Sequence, residues 1–258
     1  SVNFNLNGQK APFPEIASGP FSSRWLGNVD FVAGNYNFTV KTNEGVRLWL
    51  DDKLVIDSWA KGGDFLQVIP VTEGKHKVQF EYHSYYGYSG GYASAKLDWM
   101  LGKSCDAIPS GQFCAEYYPN NALQGLPVKA VNEAKIDAAW KDASPSIDLI
   151  PADNFSVRWQ GNFDFAADKY RFIAKADDGL RLWVDGNLII DQWTANISRE
   201  YIYDLTMTKG SHPIKYEYRE NYGWANTTLN WEKMSECNDV PVNKFCGSYF
   251  NDDTFVNQ

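Results

Sequence analysis

The sequence has no apolar run of roughly 18 residues, the length a membrane-crossing helix needs. Basic residues are outnumbered: 24 Lys and Arg stand against 32 Asp and Glu, for a net charge of −8. A nucleic-acid partner needs a clustered basic surface, so none is expected. Histidine occurs three times in 258 residues, too few and too scattered for a histidine-based metal centre. Sustained 3.6-residue periodicity is missing as well, apart from a turn or two of helix expected near 133–140. Cysteine stops at four, in two matched pairs, Cys105/Cys114 and Cys237/Cys246, each with eight residues between its members. Zinc ligation favours closer spacing within a pair. Two local disulfides are the better reading, with buried free thiols as the alternative. Such a bond contributes about 2–3 kcal/mol and implies an oxidising compartment, hence an extracellular or cell-surface location. A start at Ser1 without Met suggests a processed chain or an excerpt.

What the chain does have is aromatic residues, at 16%, and a repeat. Ala176-Asp177-Asp178-Gly179-Leu180-Arg181-Leu182-Trp183-Val184-Asp185-Gly186 runs on to Ile190-Asp191-Gln192-Trp193. Leu180, Leu182 and Val184 alternate with Arg181, Trp183 and Asp185, the period of a half-buried strand. Asp185-Gly186 is a hairpin signal, because a type I′ turn needs positive φ at both central residues. The same pattern occurs earlier as Asn43-Glu44-Gly45-Val46-Arg47-Leu48-Trp49, with Trp49 and Trp183 standing 134 apart. Short strands are expected over 21–31, 34–40, 65–71, 75–82 and 93–99, and again over 155–165, 169–174, 209–218 and 226–231. Turn signals separate them. The fold class is therefore all-β, two tandem antiparallel β-sandwiches.

The two copies are out of phase with the chain ends. Phe113-Cys114-Ala115-Glu116-Tyr117 leads into the second copy, and the first copy lacks such a strand. A similar stretch reappears as Phe245-Cys246-Gly247-Ser248-Tyr249-Phe250. The expected domains are 1–104, a sandwich missing its first strand; 105–236, a complete sandwich; and 237–258, a linker and donor strand. An open sheet edge invites strand addition. Phe245, Cys246, Tyr249, Phe250 and Phe255 would then complete a neighbouring copy head-to-tail, and such a heterologous contact propagates.

Phe155-Ser156-Val157-Arg158-Trp159, the Asp177-Asp178-Gly179 hairpin and Ile190-Asp191-x-Trp193 resemble the PA-fourteen family. This β-sandwich module is named after the anthrax protective antigen and occurs in glycosidases, flocculins and adhesins. The resemblance covers nearly the whole chain. It implies that Asp177 and Asp178, joined by a cis peptide in the lectin-like members, bind calcium, and that a sugar adds hydroxyls to the ion. Independently of the family, calcium takes six to eight hard oxygens, and adjacent carboxylates concentrate them. The loop after Tyr218 is the expected second contributor: Asn221 as a calcium ligand, with Asn221, Tyr222 and Trp224 contacting a sugar. The plainer reading of Asp-Asp-Gly is a turn closed by the Asp side chains. At Asn43-Glu44 one charge is gone, so that copy is expected to lack the site.

Other motifs carry less. Gly87-Tyr88-Ser89-Gly90-Gly91 fits G-x-S-x-G but lies in a loop before a strand, where a nucleophile elbow needs a strand before and a helix after. His76 and His212 occupy matching turns and read as structural. Arg24, Arg47, Arg158 and Arg181 recur and should pair with carboxylates. Asn37, Asn154, Asn196 and Asn226 lie in glycosylation sequons. No enzyme is expected. The functional expectation is a non-enzymatic extracellular fibre or repeat array displaying calcium-dependent glycan sites. The alternative is a calcium-dependent lectin or adhesin module excised from a larger surface protein or secreted glycosidase.

Overall fold

The structure is a computed structural model that describes residues 1–6, 15, 20–85, 93–146, 148–234, 242, 243 and 245. Among these residues there are eighteen strands and no helix. The first eight are β1 (Val2–Asn5), β2 (Phe21–Phe31), β3 (Gly34–Thr42), β4 (Gly45–Leu50), β5 (Lys53–Ser58), β6 (Gly63–Val71), β7 (Gly74–Ser84) and β8 (Ser94–Leu101). They form two antiparallel sheets, ordered β1-β8-β3-β6 and β2-β7-β4-β5. The other ten are β9 (Phe113–Tyr118), β10 (Lys129–Glu133), β11 (Ile136–Lys141), β12 (Phe155–Phe165), β13 (Asp168–Asp177), β14 (Gly179–Val184), β15 (Asn187–Gln192), β16 (Arg199–Met207), β17 (Gly210–Glu220) and β18 (Ala225–Lys233). Their sheets are β11-β18-β13-β16 and β10-β9-β12-β17-β14-β15. The chain is thus two tandem sandwiches, each closed over its own buried cluster.

The alternation read from the sequence carries this packing. On β14, Leu180, Leu182 and Val184 are buried, while Arg181 and Trp183 on the other face are half-buried. Each buried aliphatic side chain contributes about 1.5–3 kcal/mol. Asp185 and Gly186 take φ of 51° and 76°, and Asp51 and Asp52 take 49° and 64°, so both hairpins turn in the left-handed region. The histidines brace these turns: His212 Nδ1 lies 2.7 Å from Asp185 and His76 Nδ1 lies 2.5 Å from Asp51. The recurring arginines pair with carboxylates as expected. Arg24 meets Glu81, Arg47 meets Asp57, and Arg158 and Arg181 share the buried Glu217.

One expectation changes, and one sequon is buried. Residues 133–140 hold no helical turn; they cross from β10 into β11, which join different sheets. Ile136 and Glu133 anchor that crossing: Ile136 is buried, and Glu133 accepts the Tyr117 hydroxyl at 2.6 Å and the Trp159 indole at 2.8 Å. Asn37 is also no surface sequon. It is buried, and both ends of its side-chain amide are bonded to Leu126.

The described residues of the two sandwiches differ in one pairing. In the second sandwich β9 pairs with β12 and β10 with β9. Among the described residues the equivalent strand β2 pairs with β7 alone. Cys105 and Cys114 form a disulfide. Cys237, Cys246, Tyr249, Phe250 and Phe255 lie outside the described residues, as does the Gly87–Gly91 motif; Phe245 is fully exposed.

Candidate functional site

The paired carboxylates sit where β13 hands over to β14. Gly179 makes that junction possible: a Cβ there would lie 2.3 Å from the Trp193 carbonyl oxygen. The Asp177–Asp178 peptide bond is cis, and no other cis bond occurs among the described residues. Asp178 is buried, and its Oδ2 accepts the backbone N–H of Asn221 at 2.9 Å. The side chain therefore reaches across to the loop between β17 and β18 and does not close its own turn. Burial, and then the neighbouring charge of Asp178, hold the Asp177 carboxyl above the usual carboxylate range.

Asn221 is fixed from every side. Its Nδ2 donates to Asn196 Oδ1 at 2.7 Å, and its Oδ1 accepts from Asn121 Nδ2 at 2.8 Å. Its backbone carbonyl accepts from Asn154 N at 3.1 Å. An amide oxygen has two lone pairs, so Oδ1 keeps one for a further partner. Gly223 N donates to Asp153 at 2.9 Å and shapes the rest of the loop. Tyr222 and Trp224 stand out from it, 75% and 62% exposed. The loop thus joins Asn221 to Asp178, and it holds the two rings at the surface.

Beneath the carboxylates lies Glu220, fully buried, with Oε1 lacking a hydrogen-bond partner. Its Oε2 is 2.5 Å from the Tyr218 hydroxyl, which also bonds to the carbonyl of Asp177. One hydroxyl carries one proton, so both contacts are satisfied together when Glu220 is protonated. Burial pushes the Glu220 carboxyl up to about 7, and the nearby Asp178 and Asp177 add to the shift. Tyr218, Glu220, Asn121, Asn196 and Asp153 were not singled out as site residues from the sequence. Asn121 meets Asn221 across 100 residues, a contact with no local signature. Glu220 had one: its counterpart at the end of β7 is the small Ser84.

The first sandwich keeps the scaffold and loses the charge. Glu44 accepts the N–H of Tyr85, as Asp178 accepts that of Asn221. Asn43 Oδ1 takes two donors, Ser94 N at 2.9 Å and the Tyr82 hydroxyl at 3.3 Å. One carboxylate remains where the second sandwich has two.

The fit of a cation can be judged on this geometry. The oxygens offered are hard: two carboxylates and an amide oxygen. That chemistry suits calcium. Among the described residues no three His, Cys, Asp or Glu side chains are placed to cage a metal. An ion held here would be left with open coordination positions.

The family model for the PA14 domain matches residues 3–103 and 109–242. The chain is 30% identical to the anti-sigma-I factor RsgI3 of Acetivibrio thermocellus, over 92% of this chain and 39% of that protein. It therefore spans about two fifths of the length of that relative. Among solved structures, an anti-sigma factor domain-containing protein from Clostridium clariflavum is 27% identical, covering 90% of this chain and 86% of that one at a TM-score of 0.45. A PA14 sugar-binding domain from an RTX adhesin is 16% identical, covering 48% and 91% at a TM-score of 0.38. The fibre and adhesin expectation is corrected by the first of these. A likeness that runs through both sandwiches as one ordered pair leads to a regulatory protein, not to a unit of an open repeat. That relative is named as a regulator, which fits the non-enzymatic expectation at a coarse level only.

Proposed function

The chain belongs to the PA14 domain family, as two tandem members, and we propose that it is the ligand-sensing part of a regulator of the anti-sigma type. The ligand is a saccharide taken up at Asp177, Asp178 and Asn221 with calcium as cofactor. One observation carries the site: Asp178 is bonded to the Asn221 amide, which brings the carboxylate pair and the second loop together beside two exposed rings. Calcium, when bound, supplies coordination positions that vicinal sugar hydroxyls fill. The chain's own residues do the rest. Asp177 and Asp178 provide the negative charge. Asn121 and Asn196 hold the Asn221 side chain in one orientation. Tyr222 and Trp224 offer apolar faces to the C–H face of a sugar ring.

The regulatory half of the reading is supported by the likeness to the anti-sigma-I factor. The Cys105–Cys114 disulfide supports an extracellular position for these two domains. A sensor outside the cell then reports to a regulator within it.

The test is calorimetry of the chain with neutral oligosaccharides in calcium and in chelator. Binding that needs calcium and disappears in Asp178→Asn supports the reading. Saccharide binding at Asp178 that is indifferent to chelator removes the cofactor, and no binding to any saccharide in calcium removes the function.

A further inference from the structure

The two sandwiches meet at a joint that the carboxylate site does not use. Asn37 on β3 donates to the Leu126 carbonyl at 2.7 Å and accepts its N–H at 2.9 Å. Lys103 N donates to Pro127 O at 2.8 Å. Gly125, at φ 76°, lies so close that a Cβ would be 2.7 Å from Asn37 Oδ1. The segment 119–128 of the second sandwich therefore overhangs the outer face of the first sandwich's sheet. Between them is a cleft of about 340 Å³. This lies within the roughly 300–1,000 Å³ of small-molecule sites, which favour domain interfaces.

The floor of the cleft follows from strand register. On β3, Thr39 lies opposite Asp98 of β8 and Leu66 of β6; Lys41 lies opposite Lys96 and Asp64. Its charges cancel in pairs: Lys41 to Asp64 at 3.8 Å and Lys96 to Asp98 at 2.6 Å. Neither an anion nor a cation is selected by such a surface. Apolar surface from Leu66, whose Cδ2 lies against Gly125, and from Met100 alternates with these polar groups. The wall carries Asn120 and Gln124. Asn120 is locked: its Oδ1 accepts from Ala122 N and Gln124 N, and its Nδ2 donates to Gln124 O. The wall is preorganised, which lowers the entropy cost of binding.

A neutral ligand with closely spaced hydroxyls and a C–H face matches this mixture. We propose that the cleft is a second saccharide-binding site, formed by both sandwiches together and independent of calcium. It stands on its own lining, so it survives failure of the carboxylate site.

The experiment uses the whole chain in EDTA, titrated with cellohexaose, xylohexaose and maltohexaose and followed by amide chemical shifts. At least one hexaose should shift the amides of Thr39, Asp98 and Gln124. Thr39→Trp, which fills the floor from the solvent side, should weaken that binding at least tenfold. Gln124→Ala, an exposed change on the wall, should weaken it about threefold to tenfold with an unchanged melting temperature. Asp178→Asn should leave it within twofold. The proposal is overturned if none of the three sugars moves these amides, or if Thr39→Trp and Gln124→Ala both bind like wild type. It is also overturned if Asp178→Asn abolishes the binding, or if a sulfated hexaose outcompetes the neutral one at the same amides.

Discussion

Asp178 and Asn221 stand 43 residues apart and share one hydrogen bond, from the backbone N–H of Asn221 to Asp178 Oδ2 at 2.9 Å. Glu44 and Tyr85 reproduce it in the first sandwich. The scaffold of the site thus occurs both with and without the second charge. A carboxylate one methylene longer still reaches the amide, but only the second sandwich sets a second carboxylate beside it.

Asp178→Asn should separate fold from ligand. The amide oxygen of Asn still accepts from Asn221 N, so the melting temperature without calcium should stay close to wild type. A ligand at one hundred times its Kd stabilises by about 2.7 kcal/mol. That calcium-dependent rise in melting temperature should vanish in the variant. An equal rise in both proteins would remove Asp178 from the site.

The braced hairpins should titrate. The bond to Asp185 raises the His212 imidazole above the ordinary histidine range, and the bond to Asp51 does the same for His76. A histidine whose folded pKa exceeds its unfolded value contributes stability fully below about pH 6.5. That contribution is lost as pH rises through the folded value. Asp51 shifts the other way: the His76 bond, then the Lys77 amide, lower its carboxyl. Its contribution is present above the ordinary carboxylate range and lost on acidification. Proton NMR should place both histidine midpoints above that of a free histidine. Asp185→Asn should bring His212 alone back; a His212 midpoint that does not move would show the brace to be inert.

Leu182→Ala tests the core of the second sandwich. Leu182 is fully buried on β14. Removing its side chain should cost about 2–5 kcal/mol, the range for buried Leu truncations. Leu48→Ala is its counterpart in the first sandwich. Denaturant unfolding followed by domain-specific fluorescence should show each variant lowering the transition of its own sandwich. A loss under 1 kcal/mol would mean that the strand is not packed as described.

Asn37→Ala should loosen the joint. It leaves the N–H and C=O of Leu126 without their partner, at about 1–3 kcal/mol for each group that stays buried. Calorimetry should show the transitions of the two sandwiches moving further apart, and Gly125→Ala should act in the same direction through crowding against Asn37. Transitions that do not move in either variant would show that the sandwiches unfold independently of this contact.

Much of this was legible locally. Leu180, Leu182 and Val184 alternate because a strand has a period of two, and Asp185-Gly186 turns because both residues tolerate positive φ. Those properties belong to a few consecutive residues, so the repeat, the hairpins and the all-β class could be read directly. The 133–140 segment misled because Glu133 and Ile136 are spaced as on a helix, while their partners, Tyr117, Trp159 and the second core, pull them into two different sheets. The Asp177-Asp178 pair was visible as charge, and Asn221 as a nearby oxygen.

The sequence by itself determined two sandwiches, with a carboxylate pair in the second. Tertiary structure decided what those carboxylates face. Asn121 reaches Asn221, Glu220 lies buried below Asp177, and Asn37 clasps Leu126 to enclose a cleft, each across a distance in sequence that no periodicity spans. The reason is geometric: register fixes neighbours within a sheet, whereas contacts between loops and between sandwiches depend on how whole sheets pack.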